Sequence, residues 1–393
     1  MFTTAEYTAR LIKLRGILRE KNIQLAILNR NTDLYYFSGS VQPSYLFIPA
    51  EGAPFVLARK ALSRIREEAC HLQLEAFSGT PDIKKIIAAH GLSGLQRIGY
   101  TLDATTYATT ARWQQIFAGT ETFDLSPDIR LLRAAKSAAE IALMEKAGRI
   151  MAEMPKLIQT HFHPGMTELE LSAALEYYFR LNGHGGIVRC HSEEVEMNFG
   201  SGSGGINQQS GVKCDGFCSG IKTAVRYETD NRPIAKGEPL ILDYAFNLEG
   251  YHIDQVRMFS WGQPAEPVRR AYQAMRRVME AMLEALRPGK SWSAVYEDAV
   301  WLAGELGYGA EFMGRGPDRA RFVGHGVGLE LDEPPFIAPQ MEEMALTAGM
   351  TVAVEPMVAL AEAGVIGIED TVVLEAGKAR VLTTCDPEFI IVE

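Results

Sequence analysis

Cysteine is scarce in this sequence, and its spacing excludes two common kinds of structural site. The five cysteines are scattered, apart from Cys214 and Cys218, which form one C-x-x-x-C pair. No second pair follows at the spacing of a zinc ribbon, and an odd number does not suit a disulfide framework. Because disulfides are rare in the cytosol, the pattern predicts reduced thiols in a cytoplasmic protein.

The sequence also lacks an excess of positive charge. The 39 Lys and Arg residues are outnumbered by 49 Asp and Glu residues, which gives a net charge of -10. Nucleic acids and anionic membranes are bound by clustered Lys and Arg, so neither is expected as a partner.

Long apolar runs are missing as well. No segment approaches the roughly 18 consecutive apolar residues of a membrane span. The N-terminal stretch MFTTAEYTARLIKLRG carries charges every few residues and has no apolar core of the kind found in signal peptides. These absences favour a cytoplasmic location.

What is present is enough chain for two domains of roughly 100–200 residues each. Short apolar strands alternate with helical patterns up to the region of residue 130, which predicts an α/β domain. A long helical pattern follows at 131–162, in which Ser137 and Glu140 fit a capping box. We place the domain boundary near residue 135, which gives domains at 1–135 and 136–393.

The second domain is predicted to combine helices with apolar strands. Thr167 caps a helix at 167–182, and the region 183–236 is rich in Gly and Ser with weak periodicity. Strands are predicted at 239–246, 251–259, 351–357 and 365–375, and helices at 264–287 and 292–307.

Two aspartates interrupt the apolar strands of a predicted hairpin, PLILDYAFNLEGYHIDQVRMF. An unpaired buried carboxylate is strongly disfavoured, so an aspartate inside such a strand is unusual. With Leu248 and Glu249 in the turn, Asp243 and Asp254 would lie directly opposite each other, with Cβ atoms about 4.5–5.5 Å apart. Two like charges at that distance raise a pKa, and a bound cation removes the repulsion.

Two glutamates and one histidine extend this pattern. Glu355 interrupts the apolar strand TVAVEPMV, and Glu369 lies within GVIGIEDTVVL. Pairing of these strands about residue 362 would place the two glutamates opposite each other. His325 stands between glycines in FVGHGVG, and these glycines would let a metal and a substrate approach its ring.

Four carboxylates and one imidazole are a suitable ligand set for Mn²⁺, Co²⁺, Fe²⁺ or Zn²⁺. Five side chains are more than one ion usually takes from a protein. They fit two ions about 3.5–4 Å apart that share bridging carboxylates and a bridging water.

These residues, in this order, resemble the creatinase/aminopeptidase family of "pita-bread" metallopeptidases, in its Xaa-Pro dipeptidase (prolidase) and aminopeptidase P branch. The matching motifs are Asp243, Asp254 eleven residues later, His325 in GHGVG, Glu355 in VEP and Glu369 in GIED. The resemblance implies an α/β N-terminal creatinase-like domain. It further implies an α+β pita-bread catalytic domain with a curved antiparallel sheet, and usually a homodimer.

The resemblance also implies a reaction. Two divalent metal ions, often Mn²⁺ or Co²⁺, would be held by the five residues of the motifs. They would hydrolyse the peptide bond that follows an N-terminal residue, commonly before proline. Glu355 would act as the general base and then as the proton donor to the departing nitrogen.

Two departures concern histidines that contact substrate in the family. Asp332 stands seven residues after His325, where a histidine is usual, and an aspartate could instead pair with a cationic group of the substrate. A loop histidine is also absent from the stretch 203–218. His191 or His184, which lie upstream, could take its place.

A third departure concerns the product carboxylate. Gly367 stands where dipeptide-specific prolidases often have an arginine. The loss of such a charge-assisted pair typically weakens binding by about 1.5–3 kcal/mol. The sequence therefore predicts a dinuclear metal-dependent hydrolase of Xaa-Pro peptides. A hydrolase of another amide or C–N bond and a non-catalytic binding protein are the alternatives, although a binding protein has no need to keep five ligands.

Overall fold

The structure is a computed structural model that describes residues 2–191, 199–204, 229, 231–316, 319–341 and 344–393. Its chain divides into two compact units, residues 1–133 and 134–393. In the described part of the chain, none of the helices is both long enough and apolar enough to cross a membrane. The expected sequence of an α/β unit and then an α+β unit with a curved antiparallel sheet is confirmed.

The first unit contains a six-stranded sheet with helices between its strands. The strand order is β4-β3-β2-β1-β5-β6, and β2 runs antiparallel to both of its neighbours while the other pairs are parallel. The strands are β1 Leu25–Leu28, β2 Ser44–Pro49, β3 Phe55–Ala58, β4 Gln73–Ala76, β5 Arg97–Tyr100 and β6 Glu121–Asp124. The helices are α1 Thr4–Glu20, α2 Asn31–Ser38, α3 Leu62–Glu68, α4 Thr80–Ala89, α5 Tyr107–Ile116 and α6 Ser126–Ala134.

Strands β1 and β3 of this sheet are apolar throughout because both faces are covered. β1 and β3 are buried at every position, as parallel strands covered on both faces usually are. The edge strands β4 and β6 have the sequences QLEA and ETFD and are only half-buried. Their mixed polarity gave no apolar pattern, and the sequence analysis missed both.

The second unit carries a nine-stranded sheet and a two-stranded sheet. The path of the larger sheet is β11-β10-β12-β15-β9-β8-β7, with β16 beside β15 and β17 parallel to β9. Its strands are β7 Gly200–Gly204, β8 Pro239–Leu248, β9 Tyr251–Trp261, β10 Gly324–Gly326, β11 Glu333–Phe336, β12 Thr351–Val354, β15 Glu369–Leu374, β16 Ala379–Val381 and β17 Ile390–Val392. The smaller sheet pairs β13 Met357–Leu360 with β14 Gly364–Gly367.

The described residues of this unit also form five helices: α7 Ala138–Met151, α8 Met154–His161, α9 Glu168–Leu181, α10 Glu266–Ala285 and α11 Trp292–Glu305. The apolar face of α10, which includes Val268, Met275 and Met282, belongs to one core with the strand residues Val256 and Val372. Burial of this face explains the methionine and alanine stripe in the α10 sequence.

The helical pattern at 131–162 is three helices rather than one. The capping box at Ser137 and Glu140 is present, and it starts α7 rather than lying inside a longer helix. Pro155 lies in the first turn of α8, where a residue without a backbone N–H is tolerated, so a new helix begins there. Thr167 caps α9 as predicted, with Glu170 completing a second capping box.

The two strands predicted at 351–357 and 365–375 are each divided in two. β12 ends before Glu355 and β13 begins after Pro356, which has no backbone N–H to donate to a ladder. Ile368 likewise separates β14 from β15. The break leaves Glu355 outside regular strand pairing, at the end of β12.

Candidate metal centre

Asp243 and Asp254 lie on the two strands of the β8–β9 hairpin. The hairpin turn is Glu249–Gly250, with φ of 49° and 92°, as a two-residue type I′ turn requires. Asp243 therefore pairs with Val256, and Asp254 pairs with Ala245. The predicted direct opposition of the two aspartates was wrong, because the turn lies one residue later than assumed. Asp243 pairs two residues away from Asp254, and residues two apart on a strand point to the same face. The two aspartates are therefore diagonal neighbours on the same side of the sheet.

Glu369 approaches the same place from the neighbouring strand β15. It pairs with Val256, the residue that pairs on its other side with Asp243. Because side chains alternate along strands, Glu369, Asp243 and Asp254 share one face. Three adjacent strands thus each contribute one carboxylate to a small area.

Glu355 reaches this area from the end of β12. Val354 pairs with Asp370 before the interruption at Glu355–Pro356, and Met357 pairs with Gly367 after it. The pairing register is therefore the same in the two sheets. The strands therefore pair about residue 362, as predicted. In that register, Glu355 lies across from Glu369.

His325, on the short strand β10, stands among these acids. Its Nε2 atom lies 3.9 Å from Asp254 Oδ2, 3.7 Å from Glu355 Oε1 and 3.8 Å from Glu369 Oε1. These distances are too long for hydrogen bonds. They leave a space between donor atoms that matches the length of bonds from a divalent ion to nitrogen and oxygen, about 2.0–2.2 Å each.

The carboxylates of the centre have raised pKa values. Burial raises the pKa of Asp243 to about 7, and the charge of Asp332 adds to the effect. Burial raises the pKa of Asp254, Glu355 and Glu369 well above the ordinary range, and their mutual repulsion adds to it. Exposure agrees for Glu369, which is 2% exposed, and for Asp254, which is 5% exposed, whereas Asp243 is only partly buried. Ionising all four groups together is therefore costly without a cation.

The residues present fit a divalent metal site. Among the residues that the structure describes, no Lys or Arg forms an ion pair with any of the four carboxylates. Asp254, His325 and Glu369 each offer a ligand atom, and these atoms all lie within 4.8 Å of one another. Hard oxygen donors with a single imidazole are the ligand set expected for Mn²⁺, Co²⁺, Fe²⁺ or Zn²⁺.

Buried acids just outside the centre do have cationic partners. Lys136 Nζ lies 2.7 Å from Glu333 Oε1, and both side chains are almost fully buried. Arg257 Nη2 donates to Asp370 Oδ1 at 2.7 Å, and Arg257 Nη1 donates to the carbonyl oxygen of Glu369 at 2.8 Å. Arg257 thus holds the backbone of a candidate ligand while it neutralises the next residue.

The glycines around His325 have a different role from the one predicted. A Cβ on Gly324 would lie 2.6 Å from the carbonyl oxygen of Ala353 on β12. A Cβ on Gly326 would collide with the carbonyl oxygens of Glu333 and Pro334 on β11. Among the described residues, glycine is required at these positions because the backbones of β11 and β12 come close to β10, which lies between them.

Asp332 lies beside the Nδ1 edge of the His325 ring, and its charge contributes to the raised pKa values of Asp243, Asp254 and Glu355. Its Oδ1 atom is 3.4 Å from His325 Nδ1, whereas Nε2 faces Asp254, Glu355 and Glu369. The side chain is 42% exposed. Its backbone has φ of 58°, a left-handed conformation that aspartate tolerates better than most residues. Asp332 is therefore both adjacent to the imidazole and accessible to solvent.

The two histidines considered as substitutes differ in environment. His184 is buried, contacts the carbonyl oxygen of Ala245 through Nε2 at 3.1 Å, and accepts from the Gly186 N–H through Nδ1. Burial lowers its pKa to about 4, so it is a neutral structural histidine. His191 keeps 20% of its side chain exposed, and its Nδ1 lies 3.8 Å from Glu330 Oε2. The stretch 203–218 lies outside the described residues, apart from Ser203 and Gly204.

His252 is a residue of this region that the sequence analysis missed. It is fully buried, its Nδ1 lies 2.9 Å from the carbonyl oxygen of Gly328, and its Nε2 accepts from the Arg189 N–H. Burial lowers its pKa to about 4, which fits a neutral ring with Nδ1 as donor. It joins the segment that carries His191 to the loop that carries Asp332. Its position in β9, two residues before Asp254, was the available signal.

Gly367 packs tightly against the strand that follows Glu355. A Cβ at this position would lie 2.8 Å from the carbonyl oxygen of Pro356 and would also collide with the side chain of Met357. No side chain fits there without movement of β13. The close packing of the backbone around Gly367 therefore excludes the arginine that dipeptide-specific prolidases often have at this position.

Comparisons with known proteins agree with this fold. The family model for metallopeptidase family M24 matches residues 142–376, and the creatinase/prolidase N-terminal domain matches residues 10–135. The chain is 24% identical over 383 residues to a Xaa-Pro dipeptidase of Pyrococcus furiosus, covering 97% of this chain and 99% of that one.

Solved structures with the same fold include a Xaa-Pro dipeptidase from Bacillus anthracis, with a TM-score of 0.81 and 20% identity over 98% of this chain and 100% of that one. An X-Pro aminopeptidase from Thermotoga maritima has a TM-score of 0.79 and 20% identity, covering 94% of this chain and 98% of that one.

A creatinase-type unit followed by this sheet and its buried acids defines a metal-dependent hydrolase of the pita-bread class. The chain belongs to metallopeptidase family M24. The resemblance to the Xaa-Pro dipeptidase and aminopeptidase P branch is thereby confirmed.

Proposed function

We propose that this protein cleaves Xaa-Pro peptides and releases their N-terminal residue, as a dipeptidase or an aminopeptidase P-like enzyme. The observation that carries the proposal is the convergence of His325 Nε2 on three buried carboxylates that have no Lys or Arg partner among the described residues. The similarity to Xaa-Pro dipeptidases supports the choice of substrate. A cytoplasmic homodimer is proposed with it, and sedimentation velocity tests the dimer.

Two divalent ions are proposed at this centre, with Mn²⁺ or Co²⁺ preferred and Zn²⁺ or Fe²⁺ as alternatives. Asp243, Asp254, His325, Glu355 and Glu369 would hold them. When bound, such ions lower the pKa of a water molecule and polarise a carbonyl group. They also remove the repulsion that raises the pKa values of the four acids.

The residues around the metal ions would then have separate roles. Glu355 would accept a proton from the attacking water and donate it to the departing nitrogen, as a general base and then a general acid. The carbonyl oxygen of Gly326, 3.3 Å from His325 Nδ1, would accept the Nδ1–H and fix the ring, because a histidine ligand commonly donates its other N–H to a carbonyl or carboxylate oxygen, and Asp332 would place its charge beside the same nitrogen. The exposed part of Asp332, together with His191, would contact the substrate.

A second candidate is favoured by Asp332 and Gly367. An accessible carboxylate beside His325, and a backbone at residue 367 that excludes an arginine, both suit a substrate with a cationic group rather than a free dipeptide carboxylate. The second candidate is therefore a metal-dependent hydrolase of another amide or C–N bond in a cationic molecule.

One experiment separates the candidates. Bound metal is measured in the purified protein, and Xaa-Pro dipeptides and tripeptides are assayed with added Mn²⁺ or Co²⁺. Peptide turnover that is lost in Glu355→Gln but kept in Glu362→Gln, an exposed acid of the same unit, supports the first candidate. Stoichiometric metal without turnover of any Xaa-Pro peptide favours the second. A protein that takes up no metal after reconstitution contradicts both.

A further inference from the structure

The first unit contains a cavity of about 540 Å³ whose lining carries positive charge and no acid. Ligand pockets of small molecules commonly have volumes of about 300–1,000 Å³. The lining is thus locally basic, although the whole chain has a net charge of -10. The charged members of the lining are Arg59, Lys60 and Arg112.

The cavity lies at the edge of the sheet where ligands of open α/β sheets usually bind. Asn29 directly follows β1, Arg59 follows β3 and Phe77 follows β4, and these three strands are parallel. β2 runs the other way, so its first residues, Ser44 and Tyr45, lie at the same edge. In open α/β sheets, the crevice outside the carboxyl ends of the strands is the general position of ligand sites.

The three cations are available to a ligand. Other arginines of this unit form ion pairs, for example Arg19 with Glu51, Arg64 with Glu68 and Arg133 with Asp33. Among the described residues, no acid lies within 4.0 Å of the charged nitrogens of the cations in the cavity lining. Three unneutralised cations around one cavity create a local field that attracts an anion.

The neutral part of the lining adds hydrogen-bond donors and flat apolar walls. Asn29 Oδ1 accepts from Thr105 Oγ1 at 2.9 Å, which leaves the Asn29 amide NH₂ as a donor. The Tyr45 ring is held edge-on against Trp113, with centroids 4.8 Å apart. The Arg59 guanidinium lies 5.9 Å from the Phe77 ring centroid. A ligand with both an anionic group and a planar apolar portion would meet complementary surface on each side.

We propose that this cavity, formed by Arg59, Lys60, Arg112, Asn29, Tyr45 and Phe77, is a binding site for a small organic anion. The ligand combines a carboxylate or phosphate group, which the two arginines and the lysine bind, with a flat apolar portion that packs against Tyr45 and Phe77. Arginine binds both kinds of anion through paired N–H donors, so the shared chemistry is that of an oxyanion.

Ligand-observed NMR titration of the full-length, metal-loaded protein tests the proposal with three probes: phenyl phosphate, benzoate and uncharged benzyl alcohol. We expect both anions to bind more tightly than the alcohol, and the tighter anion identifies the preferred oxyanion. Binding of the anions should weaken as salt is added, because exposed charges are screened.

Two double variants locate the binding. Arg59→Gln/Arg112→Gln should weaken anion binding at least about tenfold, since two charge-assisted contacts are lost. Arg66→Gln/Lys85→Gln removes the same charge from exposed positions of the same unit outside the cavity and should leave the affinity nearly unchanged. Arg59→Lys/Arg112→Lys keeps the charge and should retain most of the affinity.

Three results would overturn the proposal. The first is anion binding no tighter than that of benzyl alcohol. The second is equal weakening in the two Gln double variants, which would point to net charge alone. The third is unchanged binding in Arg59→Gln/Arg112→Gln, which would place the anions elsewhere, for example at the metal centre. All the substituted side chains are exposed, and circular dichroism checks that each variant is folded.

Discussion

The buried acids at and next to the metal centre form two groups that differ in their partners. Glu333 and Asp370 are each neutralised by a cation of the chain, Lys136 and Arg257. Asp254, Glu355 and Glu369 are equally buried, yet in the described part of the chain none of them forms an ion pair with a Lys or Arg. The fold can therefore supply an internal counter-charge within a few residues of the centre, and at the centre it does not. An exogenous cation is what the second group requires.

The largest effect is expected from Glu355→Gln, which keeps the shape of the side chain and removes its charge and basicity. Loss of the general base should lower kcat for a Xaa-Pro peptide by about 100- to 10,000-fold. Steady-state kinetics with saturating metal measure it, and Glu362→Gln is the matched control. Activity retained near the wild-type level would show that Glu355 does not transfer the proton.

The next largest effect should come from breaking a pair in the neutralised group. Lys136→Met leaves Glu333 buried without its counter-charge and should destabilise the unit by about 3–5 kcal/mol. Lys136→Met/Glu333→Leu removes both charges and should recover much of the loss. Urea unfolding of the second unit provides the measurement. A single variant as stable as the wild type would mean that the two groups of acids do not differ as described.

Removal of metal by chelation should expose a pH dependence in the unpaired group. The pKa of Asp243 is raised to about 7 in the folded protein from its ordinary value of 3.8. Between these values the folded state holds more protons than the unfolded state, so stability falls as pH rises, and the contribution of Asp243 to this fall continues through pH 7. Metal-free protein should thus unfold at a higher temperature at pH 5 than at pH 7.5.

Added Mn²⁺ should remove much of that difference at neutral pH, because bound metal stabilises the folded state by mass action. The variant Asp243→Asn/Asp254→Asn should have a flatter pH profile without metal. Calorimetry of both proteins from pH 5 to pH 8 makes the comparison. A metal-free wild type that gains stability over this range would contradict the pKa directions given above.

The smallest effect is expected at Asp332, which is half-exposed and lies outside the group that faces Nε2. Asp332→Asn removes the charge beside His325 Nδ1 and should lower kcat/KM several-fold at most, in line with about 0–1 kcal/mol for a partly exposed ion pair. The decrease in kcat/KM should be larger for a substrate with a cationic group than for a neutral substrate. Equal losses for the two substrates would show that Asp332 acts on the ring and not on the substrate.

The sequence predicted the membership of the unpaired group because its signal is local. An acid inside an apolar strand is visible in the letters themselves, as at Asp243 and Glu369. Because side chains alternate along each strand, an error of an even number of residues in the predicted pairing still leaves acids on neighbouring strands on one face of the sheet. This is why the wrong turn in the hairpin still placed Asp243 and Asp254 together.

The neutralised group could not be predicted in the same way. Lys136 and Glu333 are nearly two hundred positions apart, and neither lies in a pattern that requires the other. His252 is similar, since its partners Gly328 and Arg189 come from separate loops. The role of the glycines beside His325 also depended on β11 and β12, whose backbones fill the space that the sequence analysis had assigned to ligands.

The order of the five converging side chains along the chain has a consequence for synthesis. Asp243 and Asp254 come from the hairpin, whereas Glu369 lies on a strand much later in the chain and pairs directly with β9. The hairpin must therefore wait, with two acids on one apolar face, until β15 has been synthesised. Non-local strand pairing of this kind is slow to form. Metal capture would thus report the last stage of folding, and a chain truncated before β15 would have the hairpin but no centre.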